Sequence, residues 1–165
     1  NYVRSWATPG MPGFEHRVGG LEKNHDGVLS TDPLNHEIMV TERAAKVEKI
    51  SDFIPELEVD GPKTGKTLVV GWGGTYGHIH TAVSELREMG TEISFAHFDY
   101  INPLPRNTKE VFSGFEKILV CELNTGQFAG YLRTKLPEFT YYQCNKVQGQ
   151  TFLVDDIKKA IEGLN

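Results

Sequence analysis

Residues 71–77 read Gly-Trp-Gly-Gly-Thr-Tyr-Gly, directly after the apolar run Thr67-Leu68-Val69-Val70. Gly71, Gly73 and Gly77 give GxGxxxG, a variant of the glycine pattern whose backbone N–H groups approach a pyrophosphate at a helix N-terminus. Such a cradle needs an acid at the end of the following strand to hold a ribose, and Asp99 stands near that place. It lies farther along than the roughly 20 residues of the usual spacing, and Trp72 crowds the turn. The better-supported reading is a tight strand-to-helix turn that faces another chain or domain.

Other residues with chemical potential are isolated. Glu122 beside Asn124 has an acid–base look, but no second carboxylate or nucleophile accompanies it. Its expected role is to accept hydrogen bonds at the N-terminus of the next helix. His78 and His80 lie two apart, so on a helix they point to different sides and make no metal pair. Cys121 and Cys144, the two cysteines of the chain, fit neither an iron–sulfur nor a zinc spacing and read as buried, reduced thiols. No Walker-type loop and no Ser or Cys nucleophile motif is found, so no catalytic and no metal-ligating residue is assigned.

The elements that must position these groups follow from composition and periodicity. The 165 residues carry a net charge of -5, with 39% hydrophobic and 24% charged residues, enough for one domain with a real core plus additional segments. There is no basic run to suit nucleic acid, no apolar stretch near the roughly 20 residues of a membrane span, and no apolar core in residues 1–20. A cytoplasmic location is expected. The chain opens Asn-Tyr-Val-Arg without an initiator methionine, as a piece of a longer protein would.

Residues 1–66 read as a linker segment with a candidate hairpin and one helix. The hairpin is expected to turn at Asp26-Gly27 as a type I′ turn. Asp32-Pro33 is a helix start, with Asp as cap and Pro at the first helical position. That helix should reach about Ile50, with Glu42 and Lys46 spaced as an i,i+4 pair. Residues 51–66 form a connector.

From Thr67 to the end, strand and helix alternate four times. TLVVGW, EISFAHF, KILVCE and FTYYQC read as short apolar strands buried on both faces. Between them, Ile79, Ala82, Val83, Leu86 and Met89 share one helical face. Val111, Phe112 and Phe115 share a second, Phe128, Leu132 and Leu136 a third, and Ile157, Ala160, Ile161 and Leu164 a fourth. The expected fold is α/β: an open, mostly parallel, doubly wound sheet with helices on both faces over residues 67–165.

Ligands and partner surfaces of such sheets gather at the carboxyl ends of the strands. Of those loops, 73–77, 99–105, 122–127 and 145–150, three pair glycine with an amide or hydroxyl residue, whereas the loops at the other end are short turns. The candidate edge residues are Gly73, Gly74, Thr75, Tyr76, Glu122, Asn124, Gln127, Asn145, Lys146 and Gln148.

The stretches WATPGMPGFEHRVGGLE, NHEIMVTERAAKVEKI, LEVDGP, VVGWGGTYG, ELNTGQFAGYLRTK and NKVQGQTF together resemble the C-terminal part of the alpha subunit of 2-oxoacid:ferredoxin oxidoreductases, the 2-oxoglutarate type above all. Family members more often carry Gly-Ser-Thr at Gly73-Gly74-Thr75. The resemblance implies a fold similar to the transketolase C-terminal domain. It also implies an enzyme that joins a 2-oxoacid, coenzyme A and oxidised ferredoxin to give acyl-CoA, carbon dioxide and reduced ferredoxin.

Thiamine diphosphate, Mg and the iron–sulfur cluster would be held on the beta subunit, and none by this fragment. Its partners would be that beta subunit and an upstream alpha-subunit domain, with ferredoxin and coenzyme A reached through the complex. The edge residues would then border the substrate channel or the coenzyme A side, and Arg17 would be a candidate carboxylate partner. The alternative from another class is a stand-alone, flavodoxin-like nucleotide- or flavin-binding module using the 71–77 loop.

Overall fold

Asp32 begins the first helix as its sequence predicts: Oδ1 accepts from Leu34 N at 2.8 Å and Pro33 takes the first helical position. In the computed structural model, which describes Tyr2 and residues 5–164, this helix is α1, Pro33–Glu48, extended by a 3-10 turn over Lys49–Asp52. The chain divides into two compact units, residues 1–53 and 54–165.

In the first unit a small loop is tied to α1. Lys23 and Leu29 form an antiparallel bridge, Asn24 and Val28 are joined by a backbone hydrogen bond of 2.8 Å, and Gly27 N donates to Asn24 O at 3.0 Å. The expected type I′ turn is therefore replaced. Type I′ needs positive φ at both central residues, and Gly27 (φ 80°) is the one residue of this loop that has it. A three-residue loop closed by a left-handed glycine results. Glu22 anchors it, its oxygens meeting His36 Nδ1 at 2.9 Å and Arg43 Nη2 at 2.7 Å. Glu42 faces His25 at 3.3 Å.

The second unit is the sheet. Its strands are β1 (Gly65–Trp72), β2 (Ile93–Phe98), β3 (Phe115–Glu122) and β4 (Tyr141–Asn145), all parallel, in the order β2-β1-β3-β4. The connecting helices are α2 (Tyr76–Glu88), α3 (Thr108–Ser113), α4 (Gln127–Lys135) and α5 (Val154–Glu162). One core lies on the face covered by α3 and α4 and includes Leu68, Val70, Phe98, Phe112, Phe128 and Leu132. The other, under α2 and α5, includes Val69, Ile79, Leu86, Leu119, Cys121 and Ile157. Successive strand residues alternate between the two cores, as the period of two requires. The doubly wound sheet with helices on both faces is the architecture expected from the alternating pattern.

Within this unit three details depart from the sequence reading. Met89 is exposed because α2 ends at Glu88 and Gly90 turns the chain at φ 90°. Phe115 is the first residue of β3 rather than the last of α3; it reaches the same core from the sheet. β4 is an edge strand with exposed Tyr142 and Gln143, not one buried on both faces. Periodicity identifies a strand, but only pairing decides whether it lies at an edge.

Residues 54–66 pack on the sheet. Asp60 forms an antiparallel bridge with Phe95, with hydrogen bonds of 2.8 and 3.0 Å, and so covers the outer edge of β2. Leu57 is buried, and its backbone N–H and carbonyl both bond to the Asn107 amide, at 2.8 and 2.9 Å. An exposed strand edge is a template for unwanted pairing, and this strap removes one.

Candidate functional site

The strand order reverses direction between β1 and β3, which makes the carboxyl ends of those strands the topological switch point where open α/β sheets hold ligands. Trp72 ends β1 there and Glu122 ends β3. Glu122 is fully buried. Its Oε2 accepts from Phe128 N at 2.8 Å and its Oε1 from Ala129 N at 2.9 Å, and Trp72 Nε1 approaches Oε2 at 3.5 Å. Asn124 Oδ1 accepts from Gly126 N at 2.7 Å and Gln127 N at 3.2 Å. The donors that a helix N-terminus offers to an anion are thus taken by the chain's own side chains. Glu122 sits where the sequence placed it, as the carboxylate at the start of α4.

The 71–77 loop has a similarly closed interior. Thr75 is buried; its hydroxyl donates to Trp72 O at 2.9 Å and accepts from Trp72 N at 3.1 Å. A Cβ on Gly71 would overlap Ile79 Cδ1 and lie 2.6 Å from Thr75 Oγ1, so this glycine permits close packing of strand on helix. Gly73 has φ 58° and, like Gly74 and Gly77, open space around its Cα. Of the loop's side chains, Tyr76 faces outward, half exposed and stacked on His80 with ring centroids 5.5 Å apart.

On the other loops, the amides of Asn145 and Gln143 meet at 2.8 Å beside Gly126, while Gln127 Oε1 accepts from Thr125 N at 3.1 Å. Lys146 is paired with Asp156 at 2.9 Å, and Gln148 is exposed. The structure therefore brings Trp72, Thr75, Glu122, Asn124 and Gln127 to one place, with Asn145 near Gly126. Lys146 points to α5. Arg17 belongs to the first unit, where it is exposed and its carbonyl accepts from Lys23 Nζ at 2.6 Å.

A second feature was not legible in the sequence. A cleft of about 620 Å³ beside the end of β2 is lined by Pro55, Glu56, Glu58, Val59, Asp60, Tyr76, Phe95, His97 and Asp99. Burial lowers the pKa of His97 below its ordinary 6.5, with Asp99 acting in the opposite sense. Asp60 holds Arg87 at 2.9 Å and His80 at 3.3 Å across its rim. The one sequence signal was a lone histidine inside an apolar strand. The acidic half of the cleft comes from the strap, which has no periodicity to reveal it.

The chain's cysteines do not fit an iron–sulfur cluster, and the start of α4 does not fit a diphosphate. A cluster takes four thiolate ligands where the chain has two cysteines, and among the described residues no three His, Cys, Asp or Glu side chains gather as a metal site. The α4 N-terminus that would suit a diphosphate is occupied by Glu122 and Asn124. No described helix is long and apolar enough to cross a membrane.

Comparison with known proteins places this geometry. No family model matches the chain. The 2-oxoglutarate oxidoreductase subunit KorA of Mycobacterium tuberculosis is 44% identical over 162 residues, 96% of this chain and 24% of its own length. The chain belongs to the alpha-subunit family of the 2-oxoacid:ferredoxin oxidoreductases. The alpha subunit of 2-oxoacid:ferredoxin oxidoreductase 2 of Aeropyrum pernix is 33% identical over 121 residues, covering 70% of this chain and 19% of the relative. This alpha-subunit segment therefore spans about a quarter or less of these relatives.

Among solved structures, it superposes with TM-score 0.88 at 24% identity on the 2-oxoglutarate:ferredoxin oxidoreductase from Magnetococcus marinus with 2-oxoglutarate, coenzyme A and succinyl-CoA bound. That match covers 98% of the segment and 29% of the solved chain. A split-gene transketolase superposes with TM-score 0.50 at 12% identity, over 64% of the segment and 40% of that chain, which fits the transketolase-like sheet expected from the sequence.

Proposed function

We propose that this segment is the C-terminal interface domain of the alpha subunit of a 2-oxoglutarate:ferredoxin oxidoreductase. The assembled enzyme converts 2-oxoglutarate and coenzyme A to succinyl-CoA and carbon dioxide, passing two electrons to ferredoxin. The observation that carries this reading is the 44% identity to the mycobacterial subunit across 96% of the chain. The family resemblance implies that thiamine diphosphate, Mg and the iron–sulfur cluster are held on the beta subunit. Cytoplasmic location, a role for residues 1–31 as the segment leaving the upstream domain, and inactivity of the segment alone belong to the same proposal.

Within that enzyme the segment's own residues hold a surface in shape. Glu122 and Asn124 fix the start of α4, and Thr75 fixes the turn before α2, so the carboxyl edge of the sheet is presented rigidly. A preformed edge loses little freedom on docking, which favours a stable subunit boundary beside the substrate channel. The inward engagement of the 71–77 loop and the buried Glu122 count against the stand-alone nucleotide-binding alternative, since a phosphate at the switch point would face a carboxylate.

Reconstitution tests the proposal. The full alpha subunit, co-purified with its beta subunit, should reduce ferredoxin in a coenzyme A-dependent reaction with 2-oxoglutarate in preference to pyruvate. Preference for pyruvate would overturn the substrate. The segment alone should melt unchanged with NAD(P), FMN or thiamine diphosphate. A ligand at a hundredfold excess over its Kd adds about 2.7 kcal/mol of stability, so a shift of several degrees with any of these would overturn the interface reading.

A further inference from the structure

Cys121 and Cys144 are directly paired in the register of β3 and β4. Residues opposite one another on neighbouring strands project to the same face, from backbones roughly 4.8 Å apart. A disulfide spans Cα separations of about 4.4–6.8 Å, so the backbone spacing of such a pair suits a bridge. Both side chains lie toward the core beneath α5. Cys121 is completely buried, whereas Cys144 is partly exposed on the edge strand.

The two thiols also influence each other's ionisation. The neighbouring Cys144 thiol, and then burial, pushes the Cys121 thiol well up. The Cys121 thiol in turn lowers the Cys144 thiol, with Lys146 helping and burial and Asp156 opposing. The sulfur that a reagent can reach is therefore also the readier thiolate, and its resolving partner waits behind it.

We propose that Cys121 and Cys144 form a reversible dithiol–disulfide couple that reacts by exchange with a low-molecular-weight disulfide. The Cys144 thiolate attacks one sulfur of the reagent, whose S–S bond breaks and releases one thiolate. The Cys121 sulfur then attacks the Cys144 sulfur of the mixed disulfide and expels the second. The two protein thiols are oxidised, the external disulfide is reduced to two thiols, and the two protein thiol protons pass to the departing thiolates. The bridge ties the end of β4, where the 145–150 loop begins, to the residue before Glu122. The redox state thereby sets the freedom of one loop of the polar edge.

Peptide mapping of the full-length subunit in its assembly tests this independently of the substrate assignment. The protein is incubated with glutathione disulfide, denatured, alkylated and digested with trypsin without reduction. The peptides 118–133 and 136–146 should be recovered joined, and a dithiol reductant should separate them. Cys144→Ser should abolish the joined species. Cys121→Ala should leave glutathione on Cys144, unresolved. Recovery of both wild-type cysteines alkylated, or of Cys144 still carrying glutathione with no joined peptides, would overturn the proposal, and this wild-type result decides even if a variant fails to fold.

Discussion

Replacing Glu122 by alanine tests whether the switch point is held by one carboxylate. The side chain is fully buried and accepts two backbone N–H groups at 2.8 and 2.9 Å. A hydrogen bond to a charged group contributes about 1.5–3 kcal/mol, and a buried donor left unpaired costs about 1–3 kcal/mol. The Trp72 contact, at 3.5 Å, lies at the limit of a hydrogen bond and adds little. Two bonds are lost, but the methyl group leaves room for a water to satisfy one of the freed donors. The net cost is about 3 kcal/mol, which lies above the ~1 kcal/mol of an exposed cap because these donors are interior.

In a chain of this length, about 3 kcal/mol corresponds to a fall in Tm of about 6–12 °C. Glu122→Gln keeps one carbonyl for one of the two N–H groups while its amide opposes the other, so it should lose about 2 kcal/mol. Urea unfolding supplies the free energy, and hydrogen exchange at the amides of Phe128 and Ala129 supplies the local readout. Exposed Gln127→Ala serves as control and should stay within about 0.5 kcal/mol of wild type. If Glu122→Ala unfolds with the wild-type midpoint, or leaves both amides protected, the carboxylate does not organise α4 and the reasoning fails.

Within the glycine loop, Gly71→Ala should cost about 1–3 kcal/mol because its methyl group collides with Ile79 and Thr75. Gly77→Ala, with open space around it, should be neutral or stabilise by about 0.5 kcal/mol; equal effects in urea would refute packing as the reason for the glycines. His97 titrates below 6.5 in the fold because burial disfavours its charged form, so the unfolded chain takes up the proton first. Its contribution to stability is fully present above pH 6.5, declines as the pH falls toward the folded value, and levels below it. His97→Phe should flatten the urea midpoint across that window, and an unchanged slope would reject the assignment. Asp60→Asn weakens the contacts to Arg87 and His80 at a half-exposed site and should lose about 1 kcal/mol or less. It should also speed proteolysis within 54–62; cleavage at the wild-type rate would mean that the backbone bridge to Phe95 holds the strap alone.

Much of the fold could be read from residue order because its signals are local. Asp32-Pro33 starts α1 through a cap and a fixed φ, both properties of two adjacent residues. The faces of α2 and α5 were visible as apolar spacing, and Glu122 before a helical run already looked like the carboxylate of a helix N-terminus. The glycine loop was ambiguous for a physical reason. A turn that packs tightly and a turn that binds phosphate both need residues without Cβ, and only the positions of Ile79 Cδ1 and the Thr75 hydroxyl distinguish them.

Sequence by itself fixed what neighbours along the chain can fix: strand, helix, cap, and the family through its quoted motifs. Tertiary structure decided what depends on distant partners. It put β4 at an edge, folded 54–62 over β2, joined Asp60, His97 and Tyr76 around one cleft, and set Cys121 opposite Cys144. Those contacts link residues far apart along the chain, where no spacing rule operates and only the register of paired strands determines which side chains meet.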